Sequence, residues 1–259
     1  MDFGIQGKWA LVCGASKGLG FGCAKALVGE GVHVVIVART ESTLDDAARQ
    51  LTQLGGGQVI ALAADITSTQ GRKIVFETRK DFDIVVTNAG GPPAGDFRQW
   101  DRDAWLAALD ANMLTPIELI KSTVDGMAER GFGRIINITS SAVKSPIDIL
   151  GLSNGARSGL TGFVSGLARS GLAAKNVTIN NLLPGIFDTD RLASNFATQA
   201  KKLGKTPDEI RSARIAEHKA KRLGQPDEFG ALCAFICSVH AGYINGQNLL
   251  IDGGNYPGL

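Results

Sequence analysis

The chain has 259 residues, of which 44% are hydrophobic, 20% are charged and 33 are glycine, a composition that excludes disordered and collagen-like chains. Its 27 Lys and Arg stand against 25 Asp and Glu, a formal charge of +2 with no dense basic block, which argues against a nucleic-acid partner. No run approaches the roughly 20 apolar residues of a membrane span, and the N-terminal MDFGIQGKW lacks a secretory apolar region, so the expectation is a cytoplasmic protein with no membrane partner.

A first apolar run, Trp9 to Cys13, reads as a strand and leads into Gly14-Ala15-Ser16-Lys17-Gly18-Leu19-Gly20, followed by a helical run to about Gly29. A second strand, Val32 to Ala38, ends at Arg39 and Thr40. Strand, glycine loop, helix and strand in this order form the context in which a glycine pattern marks a dinucleotide site: the glycines permit the turn and close approach, and helix N-terminal amides face the pyrophosphate. Alternation continues with a helix over Thr43 to Leu54, a strand over Val59 to Ala63 ending in Asp65 and Ile66, and a helix over Ser68 to Arg79. A fourth strand, Phe82 to Val86, runs into Asn88-Ala89-Gly90. Strands and helices alternating at short loop lengths imply right-handed crossovers and a sheet covered on both faces, an α/β three-layer sandwich.

Asp101 to Met127 reads as one long amphipathic helix bent at Pro116, with Asn112 as a polar residue inside it. The next stretch, Arg134 to Ala168, starts as a buried strand at Ile135, Ile136 and Ile138, passes through Thr139-Ser140-Ser141, and enters a small-residue helix from Ser153. Ligand sites of open α/β sheets lie at strand ends, so this stretch should gather Ser140, Ser153 and Arg157 around one crevice. A strand over Val177 to Leu183 follows and ends in Pro184-Gly185-Ile186, with Thr189 just beyond. Residues 190–221 are charged and helix-compatible and read as a substrate lid. Pro226 opens a last helix to about Val239, and Asn248 to Ile251 is the final strand. The whole, residues 1–259, reads as a single domain.

Cys13, Cys23, Cys233 and Cys237 form no metal or redox spacing and read as buried thiols, and no metal site is expected. The histidines, His33, His218 and His240, lie too far apart for a local triad.

The glycine motif at Gly14, Gly18 and Gly20, the Asn88-Ala89-Gly90 motif, the strand-end Pro184-Gly185, the late Arg222-Leu223-Gly224-Gln225-Pro226 and the Asp252-Gly253-Gly254 ending together resemble the classical short-chain dehydrogenase/reductases, in particular the 3-oxoacyl-carrier-protein-reductase-like branch, along essentially the whole chain. The resemblance implies a Rossmann-type, mostly parallel seven-stranded sheet and a homotetramer, or a homodimer. It implies cofactor contacts from Gly14, Ser16, Lys17, Gly18, Leu19 and Gly20 in the loop, from Arg39 and Thr40, from Asp65 and Ile66 on the adenine side, and from Asn88, Ala89 and Gly90. Pro184, Gly185, Ile186 and Thr189 fall at the nicotinamide side. An acid at the end of the second strand would repel a 2′-phosphate, whereas Arg39 and Lys17 attract one and Glu41 lies two positions too far, so NADP(H) is preferred and NAD(H) is the alternative.

The family's catalytic Asn, Ser, Tyr and Lys fall on Asn112, Ser140, Ser153 and Arg157, so the tyrosine position holds serine and the lysine position arginine, the latter also placed to hold the nicotinamide ribose. Only Tyr243 and Tyr256 occur in the chain, and no shift of register brings either to this place. A serine hydroxyl is a far weaker acid than a phenol, and an arginine stays protonated. Three readings follow: reduction of a 3-oxoacyl compound or related ketone at a Ser/Arg site, with water supplying the proton; an elimination or isomerisation of a carbonyl compound using Lys144 or Asp148; and a dinucleotide-binding scaffold without turnover. Substrate contacts are expected from Ile147, Ile149, Leu150, Phe187, Leu192 and Phe196, with Arg191, Arg214 or Lys219 meeting an anionic tail.

Overall fold

The computed structural model describes residues 1–258. Seven strands, β1 (Trp9–Cys13), β2 (His33–Ala38), β3 (Val59–Ala63), β4 (Ile84–Thr87), β5 (Gly133–Ile138), β6 (Val177–Pro184) and β7 (Asn248–Ile251), form one sheet in the order β3-β2-β1-β4-β5-β6-β7, every neighbour parallel. The order reverses between β1 and β4, so the loops leaving these two strands part and open a crevice at their carboxyl ends.

Alternation along each strand divides the core between two faces. Val12, Ile36, Val86 and Ile136 pack against α1 (Gly18–Gly29), α2 (Glu41–Thr52) and α9 (Pro226–Cys237) through Leu27, Leu44, Leu51 and Phe229. Their strand neighbours Leu11, Val35, Val85 and Ile135 pack against α3 (Thr69–Thr78), α5 (Thr115–Arg130) and α6 (Gly151–Leu167) through Val75, Leu119, Met127, Leu160 and Val164. Each of these large apolar side chains contributes about 1.5–3 kcal/mol of burial, which is why the central strands read as continuous apolar runs rather than alternating ones. α1 and α9 meet without a spacer: a Cβ on Gly230 would stand 2.1 Å from the Gly22 carbonyl oxygen, and one on Gly22 would stand 2.3 Å from that of Pro226. This contact buries Cys23, Cys233 and Cys237, and with Cys13 all four cysteines are free and buried.

The long helix expected from Asp101 to Met127 is two helices, α4 (Arg102–Leu109) and α5, joined by a π-helical turn over Asp110–Leu114. Pro116 stands in the first turn of α5, where its missing N–H costs little, so the break lies in the turn before it and not at the proline. The second helix begins at Glu41 rather than Thr43, because extended Thr40 takes the N-cap position and Glu41 the first turn, where the helix dipole favours an acid.

Residues 190–221 fold as α7 (Asp190–Leu203) and α8 (Pro207–Glu217), separated by left-handed Gly204. Phe196, Ala200, Ile210 and Leu223 form a small core of their own, with Ile186 and Leu192 packed against it. Arg134, at the start of β5, is fully buried with its guanidinium donating to the carbonyl oxygens of Gly133, Asn176 and Ser238 and to the Asn176 side chain, so this cation ties β5 to the end of α9. No helix among the described residues is long and apolar enough to cross a membrane.

Candidate active site

A cleft of about 750 Å³ opens at the carboxyl ends of β1, β2, β3 and β4. Of the cofactor residues expected from the sequence, Gly14, Ser16 to Leu19, Arg39, Thr40, Asp65, Ile66, Asn88 to Gly90 and Thr189 line it. Gly14 has a positive φ of 60°, and a Cβ on Gly20 would stand 2.3 Å from its carbonyl oxygen, so the loop turns sharply under the start of α1 and leaves that helix's first amides at the cleft. Asn88 Nδ2 donates to the Gly14 carbonyl at 3.4 Å, which holds the β4 loop against the glycine loop.

Gly20, Arg157, Pro184, Gly185 and Ile186 lie outside the lining of this cleft. Gly20 supports the turn from inside α1, and Pro184 and Gly185 finish β6 against β7, where the Gly185 amide donates to the Ile251 carbonyl. Ile186 packs toward the core of α7 and α8 and borders a second cavity of about 190 Å³ shared with His218, Arg222 and Glu228. Lys17 lies in the cleft wall, but its ammonium pairs with Asp190 of α7 at 2.9 Å, which leaves Arg39 as the cation at the end of β2. Both members of that pair are exposed, so it contributes at most about 1 kcal/mol.

The second half of the site is built on the end of β5. Ser140 has extended backbone and its Oγ accepts the Ala142 amide at 3.1 Å. Arg157, one turn beyond Ser153 on α6, is 8% exposed; its Nη1 donates to the carbonyl oxygens of Ile138 (2.7 Å) and Thr139 (2.8 Å), and its Nε donates to Ser153 Oγ at 3.2 Å. Burial, reinforced by the positive charge of Arg191, pulls the Arg157 guanidinium down to about 10, so it is still a cation at neutral pH. Each serine oxygen thus accepts from a fixed N–H, and each hydroxyl hydrogen is left for another acceptor. Asn112 is buried in the π-helical turn and donates to Ala108 O (3.3 Å) and to Gly90 O (3.4 Å), so it ties the helices to the cleft loop.

Other expectations are redirected. Phe187 and Phe196 are packed, the first edge-on against Phe229 at 5.4 Å and the second inside the small core under α7, while Ile147 and Ile149 are exposed. Lys144 lies over the Tyr256 ring at 5.6 Å, and the Asp148 carboxylate accepts the amide of Ile149. Arg191 reaches the Pro92 carbonyl at 3.4 Å across the mouth of the crevice.

One feature of the site has only a faint signal in the sequence. Thr87 Oγ1 donates to Asn137 Oδ1 (2.8 Å), Asn137 Nδ2 to Asn181 Oδ1 (3.1 Å), and Asn181 Nδ2 to Asn248 Oδ1 (2.8 Å). These four residues are register partners, so one polar row crosses β4, β5, β6 and β7. A satisfied buried row of this kind locks neighbouring strands in register, and it lies within three residues of Ser140. The asparagines interrupting the Ile and Leu runs of β5 and β6 were its visible trace.

The family model described as "Enoyl-(Acyl carrier protein) reductase" matches residues 14–255. The 3-oxoacyl-[acyl-carrier-protein] reductase FabG of Vibrio cholerae serotype O1 is 32% identical over 258 residues, covering 97% of this chain and 98% of that protein. An acetoacetyl-CoA reductase of Allochromatium vinosum is 32% identical over 253 residues, 95% and 97% of the two chains. Among solved structures, L-sorbose reductase from Gluconobacter frateurii, complexed with NADPH and L-sorbose, superposes with a TM-score of 0.94 at 29% identity over all of both chains. With the parallel seven-stranded sheet, the glycine-loop cleft and this likeness along its full length, the chain belongs to the classical short-chain dehydrogenase/reductases, a family of oxidoreductases.

Proposed function

We propose that the protein is an NADP(H)-dependent reductase of a 3-oxoacyl compound or related ketone, working through Ser140, Ser153 and Arg157. The observation that carries this reading is the Arg157 fork, which is anchored on two strand-end carbonyls and donates to Ser153 Oγ.

The cleft fits a dinucleotide. A side chain at Gly14 or Gly20 of its glycine loop would collide with Asn88 or the Gly14 carbonyl, the start of α1 supplies amide donors for a diphosphate, and Arg39 stands at the end of β2 while Glu41 is taken up in the first turn of α2. In this reading Gly14, Ser16 to Leu19, Arg39, Thr40, Asp65, Ile66, Asn88 to Gly90 and Thr189 hold the cofactor, Gly20 supports the turn beneath them, and Arg157 meets the nicotinamide end. When bound, NADPH supplies the hydride. Ser140 and Ser153 orient the carbonyl by donating to its oxygen, and the Arg157 cation, fixed behind Ser153, strengthens the Ser153 donor as negative charge grows on that oxygen. Solvent water delivers the proton that completes the alcohol, since Arg157 keeps its own at neutral pH. The Lys17–Asp190 pair and the Arg191 contact to Pro92 support 190–221 as the lid over this reaction. Leu106 on α4, Leu114 at the end of the π-helical turn and Phe163 on α6 are exposed and support assembly as a homodimer or homotetramer through that side.

Arg39→Ala is expected to weaken NADPH binding by about 10-fold or more, the worth of a charge-assisted phosphate contact, and to leave NADH binding unchanged. Titration of nicotinamide fluorescence reads both, and equal losses for the two cofactors would remove Arg39 from the phosphate. Ser153→Ala is expected to lower turnover by about 10-fold or more at an unchanged NADPH dissociation constant. Steady-state rates against a panel of ketones check this, and an unaffected rate takes Ser153 out of the reaction.

A further inference from the structure

The dinucleotide cleft is lined by three cations, Lys17, Arg39 and Arg191, and three acids, Asp65, Asp110 and Asp190, so its walls carry no net formal charge to meet an anionic diphosphate. Lys17 is already paired with Asp190 at 2.9 Å, and Arg39 stands at the end of β2, where the 2′-phosphate is read. Arg191 is left. Of the arginines in residues 190–221, Arg211 pairs with Asp188 and Arg214 with Glu217, whereas Arg191 makes no ion pair among the described residues.

The chain places this free guanidinium beside the diphosphate donors. Thr189 caps α7, and its methyl carbon would stand 3.4 Å from a Cβ on Gly18, the first residue of α1. Asp190 and Arg191 follow in the first turn of α7 and reach opposite walls of the cleft, Asp190 to Lys17 of the glycine loop and Arg191 to the loop that leaves β4. There the Arg191 Nη2 is 3.4 Å from the Pro92 carbonyl oxygen, and a Cβ on Gly91 would stand 2.6 Å from Nη2 and 2.9 Å from Cζ. The missing side chain at Gly91 thus makes room for the guanidinium. The first turn of the lid spans the mouth of the cleft, next to the amides at the start of α1.

A cation in the first turn of a helix opposes the macrodipole, a cost that an anion bound there removes. The contact to Pro92 is at the outer limit of hydrogen-bond length and uses one donor of the fork, so little is lost when the guanidinium turns away from it. A planar fork also suits paired phosphate oxygens.

We infer that Arg191 is the lid's ligand for the cofactor diphosphate: its fork leaves the Pro92 carbonyl for the diphosphate oxygens, so that the cofactor itself fixes residues 190–221 over the crevice. This rests on the dinucleotide reading of the cleft and not on carbonyl reduction.

The test is fluorescence titration of the natural chain and of Arg191→Met with NADPH and NADH, with 2′-AMP read by competition, since it carries the 2′-phosphate without the diphosphate. Arg191→Met is expected to weaken both dinucleotides by about 10- to 100-fold, the worth of hydrogen bonds between charged groups, and to leave 2′-AMP within about 2-fold. Arg191→Lys is expected to restore part of the loss. Trypsin cleavage at Lys201, Lys202 and Lys205, exposed at the junction of α7 and α8, should slow in the natural chain saturated with NADP+ and be unaffected by saturating NADP+ in Arg191→Met. NADPH affinity within about 2-fold of the natural chain overturns the assignment. So does a loss confined to NADPH, which would give Arg191 to the 2′-phosphate, and so does an equal loss for 2′-AMP, which would make its role structural. Protection from trypsin that persists in the variant overturns the coupling to the lid. Failure of the natural chain to bind either dinucleotide would sink the reading of the cleft itself, which the failure of Arg191 alone leaves intact.

Discussion

The double variant Ser153→Tyr with Arg157→Lys is expected to turn over a ketone substrate about 10²- to 10⁴-fold faster than the natural chain, the range that a matched general acid contributes. Ser153 is half-buried at the edge of the crevice and one helical turn from Arg157, so a phenol there stands beside the cation that lowers its pKa. A lysine at 157 has three donors on one nitrogen, enough for the Ile138 and Thr139 carbonyls, and can act on a tyrosine as a compact point charge. Either single substitution is expected to give less than the pair, because a phenol needs the lowered pKa and a lysine without a phenol has no acid to tune. NADPH oxidation followed at fixed ketone concentration is the measurement. A pair no faster than the natural chain would show that proton supply does not limit this site and would count against carbonyl reduction.

Arg157→Met is expected to separate activity from stability. Turnover should fall by about 10²- to 10³-fold, because the donor behind Ser153 and the positive charge near the developing oxyanion disappear together. Two opposing effects act on stability. Ile138 O and Thr139 O lose charge-assisted bonds worth about 1.5–3 kcal/mol each, while the desolvation cost of a buried cation, itself several kcal/mol, is removed. These nearly cancel, so the midpoint of thermal unfolding should move by only a few degrees, and a variant that fails to fold would mean the guanidinium is chiefly structural.

The pH dependence follows from the same residue. The folded-state value of Arg157, about 10, lies below that of an ordinary guanidinium, so the unfolded chain binds this proton more tightly. Its contribution to stability is therefore unfavourable at neutral pH and is relieved as pH rises through about 10, whereas turnover that depends on the cation should fall over the same interval. Rates that hold level to pH about 9 and decline above it, without loss of folded protein by circular dichroism, are the expected outcome.

The legible part of the fold came from periodicity and punctuation. Apolar runs such as Val34 to Val37 and Ile84 to Val86, each followed by glycine, asparagine or a helix start, announce buried parallel strands, and the sheet contains them. The helix from Asp101 was harder, since a π-helical turn has nearly the composition of the α-helix around it and Pro116 drew the break to itself. Phe187 and Phe196 were read as substrate contacts because aromatic residues near a strand end suit either a pocket or a core, and only packing against Phe229 and Ile210 decided for the core.

By itself the sequence determined the sheet-and-helix architecture, the place of the dinucleotide cleft and the fact that serine and arginine stand at positions 153 and 157, because these depend on local spacing and on residues close along the chain. Tertiary structure alone decided that Lys17 is engaged by Asp190 and that a polar row from Thr87 to Asn248 braces the strands beneath Ser140. The partners in those contacts are separated by 44 to 173 positions, too far for any pattern in neighbouring residues to register, and what unites them is the parallel crossover topology that brings distant strand ends to one edge.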